Sequence, residues 1–214
     1  MTDQPPGLRE RKKQQTLRAI SDAAIALFLD EGFESVPVSR IAERAGVSKP
    51  TLFRYFASKE DMALHRLADH EGEAARTVRQ RAAGQSPLEA LRRDFLRGID
   101  ASEPVTGMCD VAEVLDYYRL LFTTASLTAR LHTYHARAEE ALAEALHEAV
   151  PDGPMPELSA RLAAGQIKAV QRTLAEANWR RIDAGRTAAE VRAGAVAAAE
   201  HGFALLAGGL HEYR

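Results

Sequence analysis

One cysteine, Cys109, stands in 214 residues, which excludes an internal disulfide and a cysteine-rich zinc site. No apolar run approaches eighteen residues, so no segment reads as a membrane span. Met1 to Leu17 is polar and basic and lacks the apolar h-region of a secretory signal, which points to cytoplasmic residence. The chain has no Gly-rich phosphate loop, no Gly-x-Ser-x-Gly and no His-Glu-x-x-His, so catalysis has no candidate centre and the chain does not read as an enzyme. His132 and His135 stand three apart on an expected helix, but no adjacent acidic ligand completes a metal set. No metal and no cofactor are expected. Strand alternation and internal repeats are also missing, which leaves an all-α chain.

What is present is an ordinary globular composition, with 46% apolar and 27% charged residues, and a charge divided unevenly along its length. Residues 1–60 hold ten Lys/Arg against eight Asp/Glu, whereas the remainder holds eighteen against twenty-two. The excess concentrates in Arg9, Arg11, Lys12, Lys13 and Arg18, opposed there only by Glu10. A basic arm over residues 1–17, running into the first helix, suits phosphates.

Helical spacing and stop signals divide the chain into about nine helices. The first runs from Arg9 to Glu31 on Leu17, Ile20, Ala24, Leu27 and Phe28, with Gly32 as its stop. Two short helices follow, Val38 to Ala45 and Ser48 to Phe56. A fourth opens at Ser58-Lys59-Glu60-Asp61, a cap with an acid three positions on, and is expected to continue to Ala83. Ser86-Pro87 starts a fifth, carrying Leu88, Leu91, Phe95 and Ile99. Residues 110–124 and 126–150 form two more. Pro151 to Pro156 is the clearest linker, and two long helices, Glu157 to Ala184 and Thr187 to Leu210, close the chain.

Residues 37–56 carry the most chemistry. Ile41, Ala42 and Ala45 share one face, Gly46 can end the first short helix, and Ser48 can cap the second. Leu52 and Phe56 are then spent on packing, which leaves Lys49, Pro50, Thr51, Phe53, Arg54 and Tyr55 facing outward. A basic, hydroxyl-bearing, aromatic surface on a short helix suits the DNA major groove and its flanking phosphates.

Residues 12–62 closely resemble the N-terminal domain of the tetracycline-repressor (TetR) family of bacterial transcription regulators. The resemblance rests on Ala24, Leu27 and Phe28, the Gly32-Phe33 turn, Ile41-Ala42, Ala45-Gly46-Val47-Ser48, Thr51-Leu52-Phe53 and Ser58-Lys59-Glu60. It implies a helix-turn-helix domain over 12–62 and a helical effector-binding and dimerisation domain over 63–214. It also implies that Lys49, Pro50 and Thr51 read bases, with Ser48 at the start of that helix. Phe53, Arg54, Tyr55 and Lys59 would face phosphates, and Ser39 and Arg40 would meet the DNA edge. Lysine donates to guanine O6 or N7, and a threonine methyl or proline ring meets a thymine methyl. Three positions depart from the family: Pro37 at the start of the first short helix, Phe53 in place of Tyr, and Tyr55 in place of His.

The expected partners are a double-stranded operator, a second copy of the chain and a small-molecule effector. Residues 188–209 contain nine alanines and four glycines, with Val191, Val196, Leu205, Leu206 and Leu210 in or beside them, so the last two helices are the expected homodimer seam. His65, Phe95, Met108, Tyr118, Phe122, Arg172 and Glu176 mix aromatic and polar groups on helices expected to converge, and are the candidate pocket lining. The implied function is a repressor released from a palindromic operator by its effector. The alternative is a ligand-independent DNA-binding adaptor whose larger domain binds a protein partner.

Overall fold

A computed structural model describes residues 7–68, 70–153, 155–209 and 213. Among them are ten α-helices, a 3-10 turn between two of them and no strand. The helices are α1 (Leu8–Glu31), α2 (Val38–Arg44), α3 (Lys49–Tyr55), α4 (Lys59–Ala68), α5 (Glu73–Arg79), α6 (Pro87–Asp100), α7 (Ala112–Thr123), α8 (Ala125–Ala149), α9 (Pro156–Asp183) and α10 (Ala188–Gly209). The 3-10 turn is Pro104–Thr106. Residues 1–6 of the basic arm, Pro154 of the linker and Leu210 lie outside the described residues. Arg9, Arg11, Lys12, Lys13 and Arg18 all fall on α1 and are exposed.

The local signals act as their chemistry requires. Gly32 takes φ +83 and its N–H donates to Phe28 O, which closes α1. Ser86 Oγ accepts the Glu89 N–H at 3.2 Å, and Pro87 sits in the first turn of α6, where a missing N–H costs nothing. Leu88, Leu91, Phe95 and Ile99 are buried along α6 as their spacing predicts.

The helix expected from Ser58 to Ala83 is instead two. Gly72 precedes α5, and the Glu73 N–H donates to His70 O at 3.2 Å across a turn. Glycine is about 1 kcal/mol poorer than alanine inside a helix, so this is where a long helix breaks most easily. Asp69, also within the expected helix, lies outside the described residues.

The chain divides into two compact units: Met1–Asp69 with Asp116–Thr133, and His70–Leu115 with Tyr134–Arg214. The first unit thus takes in parts of α7 and α8. In the first unit α1 packs on α2 and α4, and α2 packs on α3, around Ile20, Ala24, Leu27, Phe28, Ile41, Leu52 and Met62. In the second, α10 packs on α6 and α9, and α5 packs on α6. The 3-10 turn is seated on α9: a Cβ at Gly107 would lie 2.0 Å from the Ala175 carbonyl oxygen, and Asn178 Nδ2 donates to Thr106 O at 3.0 Å. No helix among the described residues is long and apolar enough to cross a membrane.

Candidate nucleic-acid interface

A turn, a cap and two buried anchors build the outward face of α3. At the end of α2, Gly46 adopts φ +66; the Val47 N–H donates to Ala42 O at 2.9 Å and the Gly46 N–H to Glu43 O at 3.1 Å. These bonds satisfy carbonyls that the helix end leaves open. A Cβ at Gly46 would meet nothing within 4 Å, so the requirement for glycine is conformational only. Ser48 is extended and caps α3: its Oγ accepts the Thr51 N–H at 3.2 Å and shares a hydrogen bond with Thr51 Oγ1 at 2.8 Å. Pro50 occupies the first turn.

Leu52 and Phe56 are buried on the inner side of α3, as are Ile41 and Ala42 on α2. That rotation leaves Lys49, Pro50, Phe53 and Arg54 exposed, with Thr51 and Tyr55 half-buried. Phe53 is 48% exposed, a large apolar ring that intramolecular packing leaves open. The Lys49 ammonium stands 6.0 Å from the Phe53 ring centroid and the Arg54 guanidinium 5.4 Å from that of Tyr55. Each cation thus lies beside a ring, which restrains its flexible stem.

On α2, Ser39 and Arg40 are exposed. Arg40 Nη2 lies 2.9 Å from Glu31 Oε1 at the end of α1, a partly exposed pair worth no more than about 1 kcal/mol. Lys59, expected to face a phosphate, already has intramolecular partners. Its Nζ donates to Phe33 O at 2.6 Å and lies 4.6 and 5.6 Å from the ring centroids of Phe33 and Phe28.

Helix α4, which follows α3 directly, is fastened along its length within the first unit. Ser58 Oγ accepts the Asp61 N–H at 3.1 Å. Ser21 Oγ donates to Met62 O and the Tyr117 hydroxyl to Ala63 O, each at 2.8 Å and both buried. Arg130 Nη2 lies 2.6 Å from Asp61 Oδ1, and Arg66 Nη2 lies 2.9 Å from Asp22 Oδ1. The Ser58 cap follows from the sequence, whereas Ser21, Tyr117, Arg130 and Arg66 carry no signal there that names them as holders.

The seven pocket candidates are distributed over both units. In the first, Tyr118 and Phe122 face each other at 5.8 Å between centroids, and His65 stands edge-on to Phe56 at 5.3 Å. In the second, Phe95 is buried against Phe203, Met108 is fully buried in the apolar core, and Glu176 pairs with Arg180 on α9 while Arg172 is exposed. Lys168, on the same helix, is half-buried. Its burial pulls the ammonium below the usual lysine range; Glu73 and Glu139 oppose the shift, and Arg172 adds to it. No cluster of three or more His, Cys, Asp or Glu among the described residues is arranged to hold a metal ion.

Residues 20–65 match the family described as bacterial regulatory proteins, tetR family. Over 94 residues the chain is 38% identical to the HTH-type transcriptional regulator TcmR of Streptomyces glaucescens, a match covering 44% of this chain and 42% of that one. It is 38% identical over 84 residues to the HTH-type transcriptional repressor KstR of Mycolicibacterium smegmatis, covering 39% of each. The chain thus spans about two fifths of the length of these curated relatives. Similarity in fold reaches much further along the chain. A TetR-family regulator from Streptomyces coelicolor superposes with a TM-score of 0.51 at 20% identity, over 95% of this chain and 99% of that one. Native NalD, the secondary repressor of the MexAB-OprM multidrug efflux pump in Pseudomonas aeruginosa, does so with a TM-score of 0.53 at 16% identity, over 89% and 97%.

Proposed function

We propose that the chain, whose residues 20–65 match the tetR family of bacterial regulatory proteins, is a member of that family and a DNA-binding transcriptional regulator, a repressor that a small-molecule effector releases from a palindromic operator. The observation that carries this reading is the surface of α3. Packing consumes Leu52 and Phe56 and leaves Lys49, Pro50, Phe53 and Arg54 outward on a capped helix. Lys49, Pro50 and Thr51, at its N-terminal end, read base edges, and Ser48 holds that end in place. Phe53, Arg54 and Tyr55 meet sugar and phosphate, and Ser39 and Arg40 approach the backbone from α2.

A single seven-residue recognition helix buries too little surface for specific binding, so the working unit is a homodimer. Its seam lies on α9 and α10. Leu158, Leu162 and Leu205 are 50%, 58% and 65% exposed, and Ala193, Ala197 and Ala204 are exposed on α10 with the bare backbone of Gly208. Val191 and Leu206, from the same stretch, are buried in the chain's own core and serve α10 rather than the partner. Two half-sites about one helical turn apart, roughly 34 Å, or a multiple of that spacing, then match the two recognition helices. The effector acts by binding more tightly to the arrangement that misaligns them, since equal affinity for both arrangements shifts nothing.

Selection from a random pool of duplexes, followed by footprinting, tests the reading. A palindromic site protected on two half-sites is expected, and uniform affinity for every duplex would sink it. A panel of small molecules screened against the selected duplex tests release. Tight binders that leave DNA affinity unchanged would remove the effector from the account.

A further inference from the structure

Lys59 breaks a local rule. It is the first residue of α4, where the partial positive charge of the helix end disfavours a cation. A phosphate contact would excuse that placement, but the ammonium is already engaged: it donates to Phe33 O at 2.6 Å and sits near the Phe33 and Phe28 rings, at 4.6 and 5.6 Å from their centroids. Those two rings are themselves in contact, with centroids 4.8 Å apart, so the cation meets a paired aromatic surface. Glu60 and Asp61 in the same turn offset the charge from the helix side.

The position of this tie in the chain gives it a consequence. Phe33 lies in the turn after α1, and Lys59 lies 26 residues later, so the bond closes a loop that contains all of α2 and α3. On the reading that α3 enters DNA, we propose that Lys59 is a positioning residue for recognition: its ammonium fastens the two ends of the helix-turn-helix segment together rather than neutralising a phosphate. A loop closed at both ends presents α3 at one angle to the domain. Opening it leaves the same exposed side chains on a segment that samples several orientations. A bound sequence then loses more affinity than an arbitrary one, because base contacts depend on orientation more steeply than backbone contacts do.

Two observables separate the roles. A lost phosphate contact weakens binding about uniformly across sequences and lowers the slope of log affinity against log salt by about 0.9 per phosphate. A lost tie lowers the ratio of specific to arbitrary affinity and leaves arbitrary binding and its salt slope unchanged. The experiment uses the full chain, a duplex selected by the wild-type protein, and a scrambled duplex of equal length. It is run at a temperature where circular dichroism shows each variant folded. Lys59→Met keeps the stem and removes the charge. Its specific affinity is expected to fall at least about tenfold, which is the lower end of what one charged hydrogen bond supplies, with scrambled-duplex affinity and slope retained. Lys59→Arg, which can still donate to Phe33 O, is expected to recover most of the loss. Phe33→Leu, which removes one ring and no charge, is expected to shift the ratio in the same direction as Lys59→Met. A reduced slope with both duplexes weakened alike would overturn the proposal in favour of a phosphate contact. Unchanged affinity for the selected duplex would overturn it in favour of a purely structural tie. If the wild-type chain enriches no duplex, the DNA reading itself falls, and this proposal with it.

Discussion

Ser48 separates the stability of the recognition helix from its use. Its Oγ accepts the Thr51 N–H at 3.2 Å and shares a bond with Thr51 Oγ1 at 2.8 Å, on a helix of seven residues that is too short to persist without tertiary support. Ser48→Ala removes the cap, worth about 1 kcal/mol, and an exposed hydroxyl pair worth about 0.5 kcal/mol, for a total near 1.5 kcal/mol. For a domain the size of the first unit, each kcal/mol shifts the melting midpoint by about 4–8 °C, so a fall of roughly 6–12 °C is expected. Ser48→Asp restores an acceptor for the Thr51 N–H and adds a favourable charge at a helix N-terminus, so its midpoint is expected within a few degrees of wild type. The same carboxylate would face the phosphates, and its DNA affinity is expected to fall below that of Ser48→Ala when both are compared well below their melting midpoints. Thermal and urea unfolding followed by circular dichroism give the stabilities, and titration of a selected duplex gives the affinities. If Ser48→Asp melted as low as Ser48→Ala, the capping argument would be refuted. If it bound DNA as tightly as wild type, the placement of this helix end at the phosphates would be refuted.

Other perturbations test other parts of the structure. Gly107→Ala forces a Cβ to within 2.0 Å of the Ala175 carbonyl oxygen at φ +72 and displaces the buried Asn178–Thr106 bond; we expect at least about 3 kcal/mol lost from the second unit by urea unfolding, whereas Gly46→Ala, which meets only open space, should cost about 1 kcal/mol. Comparable losses at the two glycines would refute the steric account of Gly107. Leu205→Glu places a carboxylate on the exposed face of α10 and is expected to halve the mass seen by analytical ultracentrifugation at micromolar concentration; an unchanged dimer would move the seam elsewhere. Glu89 is held down to about 2, mainly by its hydrogen bond to Arg92 and further by Arg93, with burial opposing. Because its folded value lies below the unfolded one, the stabilisation is present in full above about pH 4.5 and drains away as pH falls toward 2. After screening at this part-exposed site it amounts to about 1 kcal/mol, so between pH 7 and pH 3 the wild type should lose more than half of that beyond what Glu89→Gln loses in urea unfolding. Parallel pH profiles for the two proteins would contradict the assignment.

The chemistry of α2 and α3 was legible because every signal there is short-ranged. Gly46, Ser48 and Pro50 act within four residues, and the inward turn of Leu52 and Phe56 follows from helical spacing alone. The same holds for Gly32 at the end of α1 and Ser86 at the start of α6. The break before α5 was harder to read. Apolar spacing runs through it, and only Gly72 marked the place where the intrinsic cost of a helix exceeds its gain.

By itself, then, the sequence determined the helical content, the capped turn of residues 37–56 and the cations and aromatic rings available for DNA. Each of these rests on contacts between residues a few positions apart. Tertiary structure alone decided what those groups are free to do. It joined Lys59 to Phe33 across 26 residues, seated the Tyr117 hydroxyl on Ala63 O across 54, placed Asp116–Thr133 with the first unit and buried Met108 in the core of the second. Such pairings depend on how distant segments meet, and no local pattern of polarity or spacing records that meeting. Lys59 shows the difference most plainly: the residue type named a cation at a helix start, and packing put that cation on a carbonyl and two rings.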